Sequence, residues 1–212
     1  MATQIVWSKD LAYVVGLITT DGSLSKDGRH IDFTSKDLDQ IRTFKKILKL
    51  KNKIGKKYSG ENGHKFYPRI QFGNVKLYRF LVNLGLHPNK SKTLGSLNVP
   101  DKFFADFLRG YFDGDGHSYS YWDKRWKSSF MLYLGFSSAS KKNLYWIKEK
   151  ISNLYNIEGA IKHGRSVYQL MYAKRSSLKL IKILYYRSSI NYLKRKKFKI
   201  EKALGIINSR PG

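Results

Sequence analysis

The chain repeats itself, and no other feature constrains its fold as tightly. The segment Leu11-Ala12-Tyr13-Val14-Val15-Gly16-Leu17-Ile18-Thr19-Thr20-Asp21-Gly22 aligns without a gap on Ala105-Asp106-Phe107-Leu108-Arg109-Gly110-Tyr111-Phe112-Asp113-Gly114-Asp115-Gly116. Each copy has glycine in the middle and ends in Asp-Gly. Downstream the likeness continues with shifted spacing. Ile31-Asp32-Phe33-Thr34-Ser35 matches Leu134-Gly135-Phe136-Ser137-Ser138, the stripe Ile41, Phe44, Leu48 matches Leu144, Ile147, Ile151, and Arg69-Ile70-Gln71-Phe72 matches Gln169-Leu170-Met171-Tyr172. A chain written twice folds as two related halves.

Period and punctuation predict the elements of each half: helix, two strands, helix, two strands, closing helix, an α+β pattern. The first repeat is read as residues 1–97 and the second as 98–212, joined at Leu97-Asn98-Val99-Pro100. Residues 37–50 carry an apolar helical stripe, as do Leu144 to Leu154. Residues 66–72 alternate, with Phe66, Pro68, Ile70 and Phe72 inward and Tyr67, Arg69 and Gln71 outward. The same register in the second copy puts Tyr168, Leu170 and Tyr172 inward and leaves Arg165, Val167, Gln169 and Met171 outward. A polar loop around Ser120 to Lys127, with Tyr119, Tyr121 and Trp122 at its start, lengthens the second copy. Asn191 to Leu204 reads as a basic tail helix, a run that usually means only a solvated face.

The matched glycines explain how the halves meet. Residues at i and i+4 share a helical face, so Ala12, Gly16 and Thr20 form one narrow stripe and Asp106, Gly110 and Gly114 another. Small residues let two backbones approach, and the two motif helices are expected to pack on each other. Gly22 and Gly116 are expected to end their helices in the left-handed conformation. Asp21 and Asp115 then lie together at helix C-termini, where two carboxylates are costly unless they share a proton or a cation. Magnesium suits such a pair, because it takes hard oxygen ligands and combines one or two carboxylates with substrate phosphate.

Charge names the class of partner. Lys and Arg number 41 against 15 Asp and Glu, a formal +26 over 212 residues, and such a chain is suited to a polyanion, nucleic acid first. Its apolar runs are far shorter than the roughly 20 residues that span a bilayer, so no membrane is expected as a partner. Without cysteine there is no disulfide, iron–sulfur or zinc-ribbon site, and nothing at the N-terminus reads as a signal peptide. An intracellular protein is expected, with prokaryotic cytoplasm and organelle not distinguished. The histidines His30, His64, His87, His117 and His163 lack metal-ligand spacing, and His117 reads as a solvated loop residue. No phosphate-binding loop is present.

The two motifs, Gly16-Leu17-Ile18-Thr19-Thr20-Asp21-Gly22 and Leu108-Arg109-Gly110-Tyr111-Phe112-Asp113-Gly114-Asp115-Gly116, resemble the signatures of the LAGLIDADG homing endonucleases in their single-chain, two-repeat form. Leu84-Gly85-Leu86-His87-Pro88-Asn89-Lys90-Ser91 and Leu193-Lys194-Arg195-Lys196-Lys197 support the likeness. It implies an α+β monomer of pseudo-twofold symmetry: two αββαββα repeats, motif helices at the interface, and antiparallel sheets forming a saddle over DNA. It implies an intron-encoded type of enzyme that hydrolyses both strands of a long duplex site, leaving short 3′ overhangs. Magnesium is the implied cofactor, with manganese expected to substitute. Carried over, the metal ligands are Asp21 and Asp115 with the carbonyls of Thr20 and Gly114. Lys90 and Lys196 are the catalytic basic residues, with Lys92 and Lys194 as near alternatives, and Ser35 and Ser138 organise solvent. The first motif departs by having Thr19 where the second keeps Asp113. The alternatives on the same fold are an RNA splicing maturase, with cognate intron RNA as its partner, and a DNA-binding protein that does not cut.

Outward strand residues would do the reading. Arg69, Gln71, Arg165 and Gln169 are candidates for base contacts, since Arg pairs bidentately with guanine and Gln with adenine. Lys56, Lys57, Lys65, Lys124, Arg125, Lys174 and Arg175, with Lys127 in the same loop, are candidates for phosphates. Phe44, Phe80, Phe107 and Tyr111 sit at core spacing.

Overall fold

The computed structural model describes residues 5–59, 65–126 and 128–209. His64 and Lys127 lie outside the described residues. The elements run α1 (Lys9–Asp21), β1 (Gly22–Leu24), β2 (His30–Thr34), α2 (Leu38–Ile47), β3 (Gly55–Ser59), β4 (Lys65–Gly73) and α3 (Val75–Asn83). After a short 3-10 turn at Asp101–Phe103 come α4 (Phe104–Asp115), β5 (Gly116–Trp122), β6 (Phe130–Ser138), α5 (Lys141–Tyr155), β7 (Ala160–His163), β8 (Tyr168–Tyr172), α6 (Lys174–Leu184) and α7 (Lys194–Asn208). The predicted order is thus present twice, and α7 is added at the end of the second half.

The described residues form two four-stranded antiparallel sheets, ordered β1-β2-β4-β3 and β5-β6-β8-β7. Helices α2 and α3 pack on the first sheet, and α5 and α6 on the second. Alternation selects the buried face, with Ile31, Phe33, Ile70 and Phe72 under the helices of one half and Leu132, Leu134, Phe136, Leu170 and Tyr172 under those of the other. Phe33 stacks on Phe44 with ring centroids 4.3 Å apart, and Phe136 meets Tyr111, Phe112 and Tyr172 edge-on. Phe66 departs from the expected pattern. It is 49% exposed, because this end of β4 runs past the helices and pairs only with β3, where Phe66 lies against Tyr58 and under the Lys56 ammonium.

Helices α1 and α4 pack side by side between the sheets. The side chain of Ser8 caps α1 by accepting from the Leu11 N–H at 3.1 Å, and every residue from Leu11 to Thr19 is buried, as an all-round apolar helix requires. Gly16 and Gly110 set the approach: a Cβ on Gly16 would enter the carbonyl oxygen of Phe107, and one on Gly110 that of Tyr13.

Gly22 and Gly116 correct an expectation. Neither is left-handed, since their φ, ψ values are −93°, 156° and −77°, 156°, which is extended backbone. Each helix passes straight into a strand, and glycine is required for space. A Cβ on Gly22 would lie 2.7 Å from the Cα of Ile18, and one on Gly116 would lie 2.7 Å from the Cα of Phe112. Tyr119, Tyr121 and Trp122 also depart from expectation. They belong to β5, paired with Tyr133, Met131 and Phe130 of β6, rather than to a loop.

Candidate functional site

The close approach of α1 and α4 determines what meets at their C-terminal ends. Gly114 lies against Thr20 and Asp21, so that a Cβ there would stand 3.0 Å from Asp21 Oδ2 and overlap the Thr20 hydroxyl. Two cavities open where the helices end. One, of about 320 Å³, is lined by Asp21, Ser35, Gln40, Gly114 and Arg195 among others. The other, of about 220 Å³, is lined by Thr20, Lys90, Tyr111, Asp115 and Ser138 among others. Each therefore combines a motif aspartate of one repeat with the residue preceding the motif aspartate of the other. A third hollow, of about 440 Å³, carries Asp115, His117, Ser137, Lys196 and Lys199 on its wall.

Burial raises the Asp21 carboxyl to about 7, and the Asp115 charge beside it adds to the effect against the pull of Lys196 and Lys90. Asp115 is also raised, by burial, against the same two lysines. Two hard-oxygen acids whose charges oppose each other are a donor set for a small divalent cation. Among the described residues no three His, Cys, Asp or Glu side chains form a ready cage, so any cation here would take its remaining ligands from carbonyls, water or phosphate, as magnesium does.

Ser35 and Ser138 stand in equivalent turns. The Ser35 hydroxyl accepts from the N–H of Asp37 at 3.1 Å and donates to Gln40 Oε1 at 2.6 Å, while that of Ser138 accepts from the N–H of Ser140 at 3.0 Å. Each lines the cavity of its own repeat's aspartate.

The lysines are less alike. Lys90 is buried, and its ammonium donates to the Gly22 carbonyl, which leaves two N–H groups beyond that bond. Lys196 Nζ donates to the carbonyls of Phe112, Gly114 and Gly116 at 2.6, 2.7 and 2.6 Å. All three of its protons are engaged, so it works as a fixed charge that closes the C-terminus of α4. It also occupies one side of the Gly114 carbonyl, leaving one lone pair. Burial lowers both lysines to about 8. Lys92 and Lys194 are exposed.

The sequence-predicted reading residues are scattered over the sheet faces turned from the helices. Gln71 is exposed on β4, Gln169 is half-buried opposite Ser137, and Arg165 is exposed in the turn before β8. Arg69 is paired with Asp32 across β2 and β4. Lys57 and Lys65 are exposed on the β3–β4 ribbon. Lys124 and Arg125 are exposed in the β5–β6 turn, where Arg125 pairs with Asp123, and Lys174 and Arg175 open α6.

Two features were not legible in the sequence. Arg195, concealed in the basic run, pairs bidentately with Asp37 of the other repeat, Nε to Oδ1 at 3.0 Å and an Nη to Oδ2 at 2.7 Å, at the wall of the Asp21 cavity. His117, expected as a solvated loop residue, is half-buried on β5 with Nδ1 3.4 Å from the Ser137 hydroxyl. Strand β5 begins immediately at Gly116, which places the next side chain on the wall of the hollow that Asp115 also lines.

Residues 8–85 match the family model of a LAGLIDADG-like domain. The fold is that of two-repeat LAGLIDADG proteins. The homing endonuclease I-WcaI, in a structure bound to its DNA recognition sequence, superposes with a TM-score of 0.66 at 13% identity, over 92% of this chain and 88% of that one. Full-length DUF199/WhiA from Thermatoga maritima superposes at 0.60 and 16% identity, over 98% of this chain and 64% of that one. A component of the A-type ATP synthase of Methanopyrus kandleri is 28% identical over 110 residues, 51% of this chain but only 10% of that protein's length. Among the described residues no helix is long and apolar enough to cross a membrane.

Proposed function

Because the chain carries a LAGLIDADG-like domain whose second copy is visible in sequence and fold, we propose that it is a site-specific endonuclease that hydrolyses both strands of a long DNA duplex and leaves short 3′ overhangs. One observation carries the reading. Asp21 and Asp115 are held together at two converging helix ends, with Lys90 and Lys196 against them and a cavity on either side. Structural packing gives no return for burying two like charges this way, whereas a phosphodiester brought with a cation does.

Asp21 and Asp115 would hold magnesium, with the free side of the Gly114 carbonyl and the Thr20 carbonyl as further oxygen donors. Bound there, it would supply Lewis-acid polarisation of the phosphate and a more acidic water. The protein's own groups do the rest. Ser35 and Ser138 orient water in their cavities, Lys90 offers two N–H groups to charge developing on the phosphate, and Lys196 offsets the negative end of α4 beside Asp115. Water adds to phosphorus and one P–O ester bond breaks.

The extent of the WhiA likeness means that the fold alone does not single out catalysis, and a DNA binder that does not cut is the second reading. Incubation with magnesium and a randomised duplex library, followed by sequencing of ligatable ends, separates the two. Expected is one recurring long site, cut with 3′ overhangs, lost in EDTA and in Asp21→Asn and Asp115→Asn, each of which still binds the duplex. Binding without ends in the unaltered protein refutes the nuclease and makes intron RNA the next substrate.

A further inference from the structure

The free faces of the two sheets differ in chemistry. On the first, β1 stops at Leu24, and, Tyr67 apart, the side chains turned from the helices are polar: Ser23 opposite Asp32, Asp32 opposite Gln71, and Arg69 bonded to Asp32. On the second, β5 runs to Trp122 and the alternation that sets His117 beside Ser137 continues through Tyr119 and Tyr121, with Tyr133 of β6 directly across from Tyr119. The three rings form one raft. Tyr119 and Tyr133 stack with centroids 4.9 Å apart and planes 15° from parallel, and Tyr121 lies 6.2 and 6.3 Å from the other two at 8° and 7°. Tyr119 is 42% and Tyr121 46% exposed.

Tyr119 and Tyr133 each give one ring face to the other, so the raft offers unpaired bases less open face than separate rings would. It is stiff, so binding orders little that is not already ordered. Lys124 and Arg125 at the tip of the same hairpin are exposed and cationic, which suits a groove walled by phosphates. The major groove admits a two-stranded ribbon, and the one apolar group on its floor is the thymine C5-methyl.

We infer that the Tyr119–Tyr121–Tyr133 raft reads thymine methyl groups on the half of the DNA under the second repeat, while the first repeat reads its half through hydrogen bonds. Tyr119 and Tyr121 stand two and four residues beyond His117, ~7 and ~13 Å along the strand, which at 3.4 Å per base pair sets the thymines roughly two to four pairs outward from His117. The inference rests on the duplex-DNA reading above but not on cleavage.

The test selects a binding motif in EDTA from a randomised duplex library with the full chain, then measures Kd after replacing each thymine singly by deoxyuridine, which removes only the methyl. Expected is a loss of about fourfold per contacted methyl, confined to one half of the site. A Tyr119→Ser/Tyr133→Ser variant, its fold checked by circular dichroism, should become indifferent to the same replacements and keep its preference on the other half. A selected half-site without thymine there, or Kd unmoved by every deoxyuridine with the unaltered protein, overturns the inference even if the protein cuts. So does tighter binding of single strands than of duplex. A protein that binds with this thymine signature and never cuts overturns the nuclease and leaves the raft's assignment standing.

Discussion

Placing one methyl group on Gly110 tests whether the helix crossing holds the molecule together. In an isolated helix, Gly→Ala stabilises by about 1 kcal/mol. Here the new Cβ would lie 2.9 Å from the Tyr13 carbonyl carbon and 3.2 Å from the Gly16 Cα, and would overlap the Tyr13 oxygen. Every neighbour is backbone of the facing helix, so no side chain can swing away. The helices must part by about 1 Å, and overpacking of this kind costs about 1–3 kcal/mol, sometimes more. Gly205 supplies the control. It lies in α7 with nothing within 4 Å of a built Cβ, so Gly205→Ala meets no clash and should gain part of the helix term. Urea unfolding followed by far-ultraviolet circular dichroism should show Gly110→Ala lower in midpoint than the unaltered protein and Gly205→Ala equal or higher. If Gly110→Ala matches or exceeds the unaltered midpoint, the argument that backbone contact at this crossing determines the interface would be refuted.

Three more outcomes follow from the charged groups. Asp113 is raised by burial to about 6, with one oxygen bonded to Tyr13 and Leu193 and the other unpartnered. A raised carboxyl favours the protonated fold, so its contribution is most favourable below pH ~4 and is lost as pH rises to about 6. Asp113→Asn should accordingly gain on the unaltered protein by roughly 2–3 kcal/mol between those limits, read as paired urea midpoints across pH. Lys196→Met strands three carbonyls and Lys90→Met one, so the first should lower Tm more, with about 2 kcal/mol between them, and the second should lose cutting rate out of proportion to stability. The Asp37–Arg195 pair is partly exposed, with side chains 21% and 49% accessible. A double-mutant cycle to Ala should give about 0.5–1 kcal/mol at neutral pH, shrinking in high salt and vanishing as acid protonates Asp37, whose carboxyl is held below its usual value by the Arg195 hydrogen bonds.

Much of this protein follows from its sequence because repetition and period are local signals. Two gapless copies with Gly16 and Gly110 in register implied a pair of closely packed helices, and the Asp-Gly endings placed Asp21 and Asp115 together from spacing alone. Burial alternation was readable at Ile70, Phe72, Leu170 and Tyr172, and failed at Phe66, where no helix covers the strand, and at Met171, expected outward but buried over Gly135 on the other face. What depended on tertiary structure were the distances between segments far apart in the chain. That all three Lys196 protons are engaged by carbonyls about 80 residues away, that Arg195 reaches across to Asp37, and that Gly22 is extended rather than left-handed depends on how helix end, strand start and tail come together in space. The tyrosine raft shows the limit most plainly. Polar flanks made Tyr119 and Tyr121 look like loop residues, and only pairing with β6, itself a long-range event, placed them on the free face of the sheet.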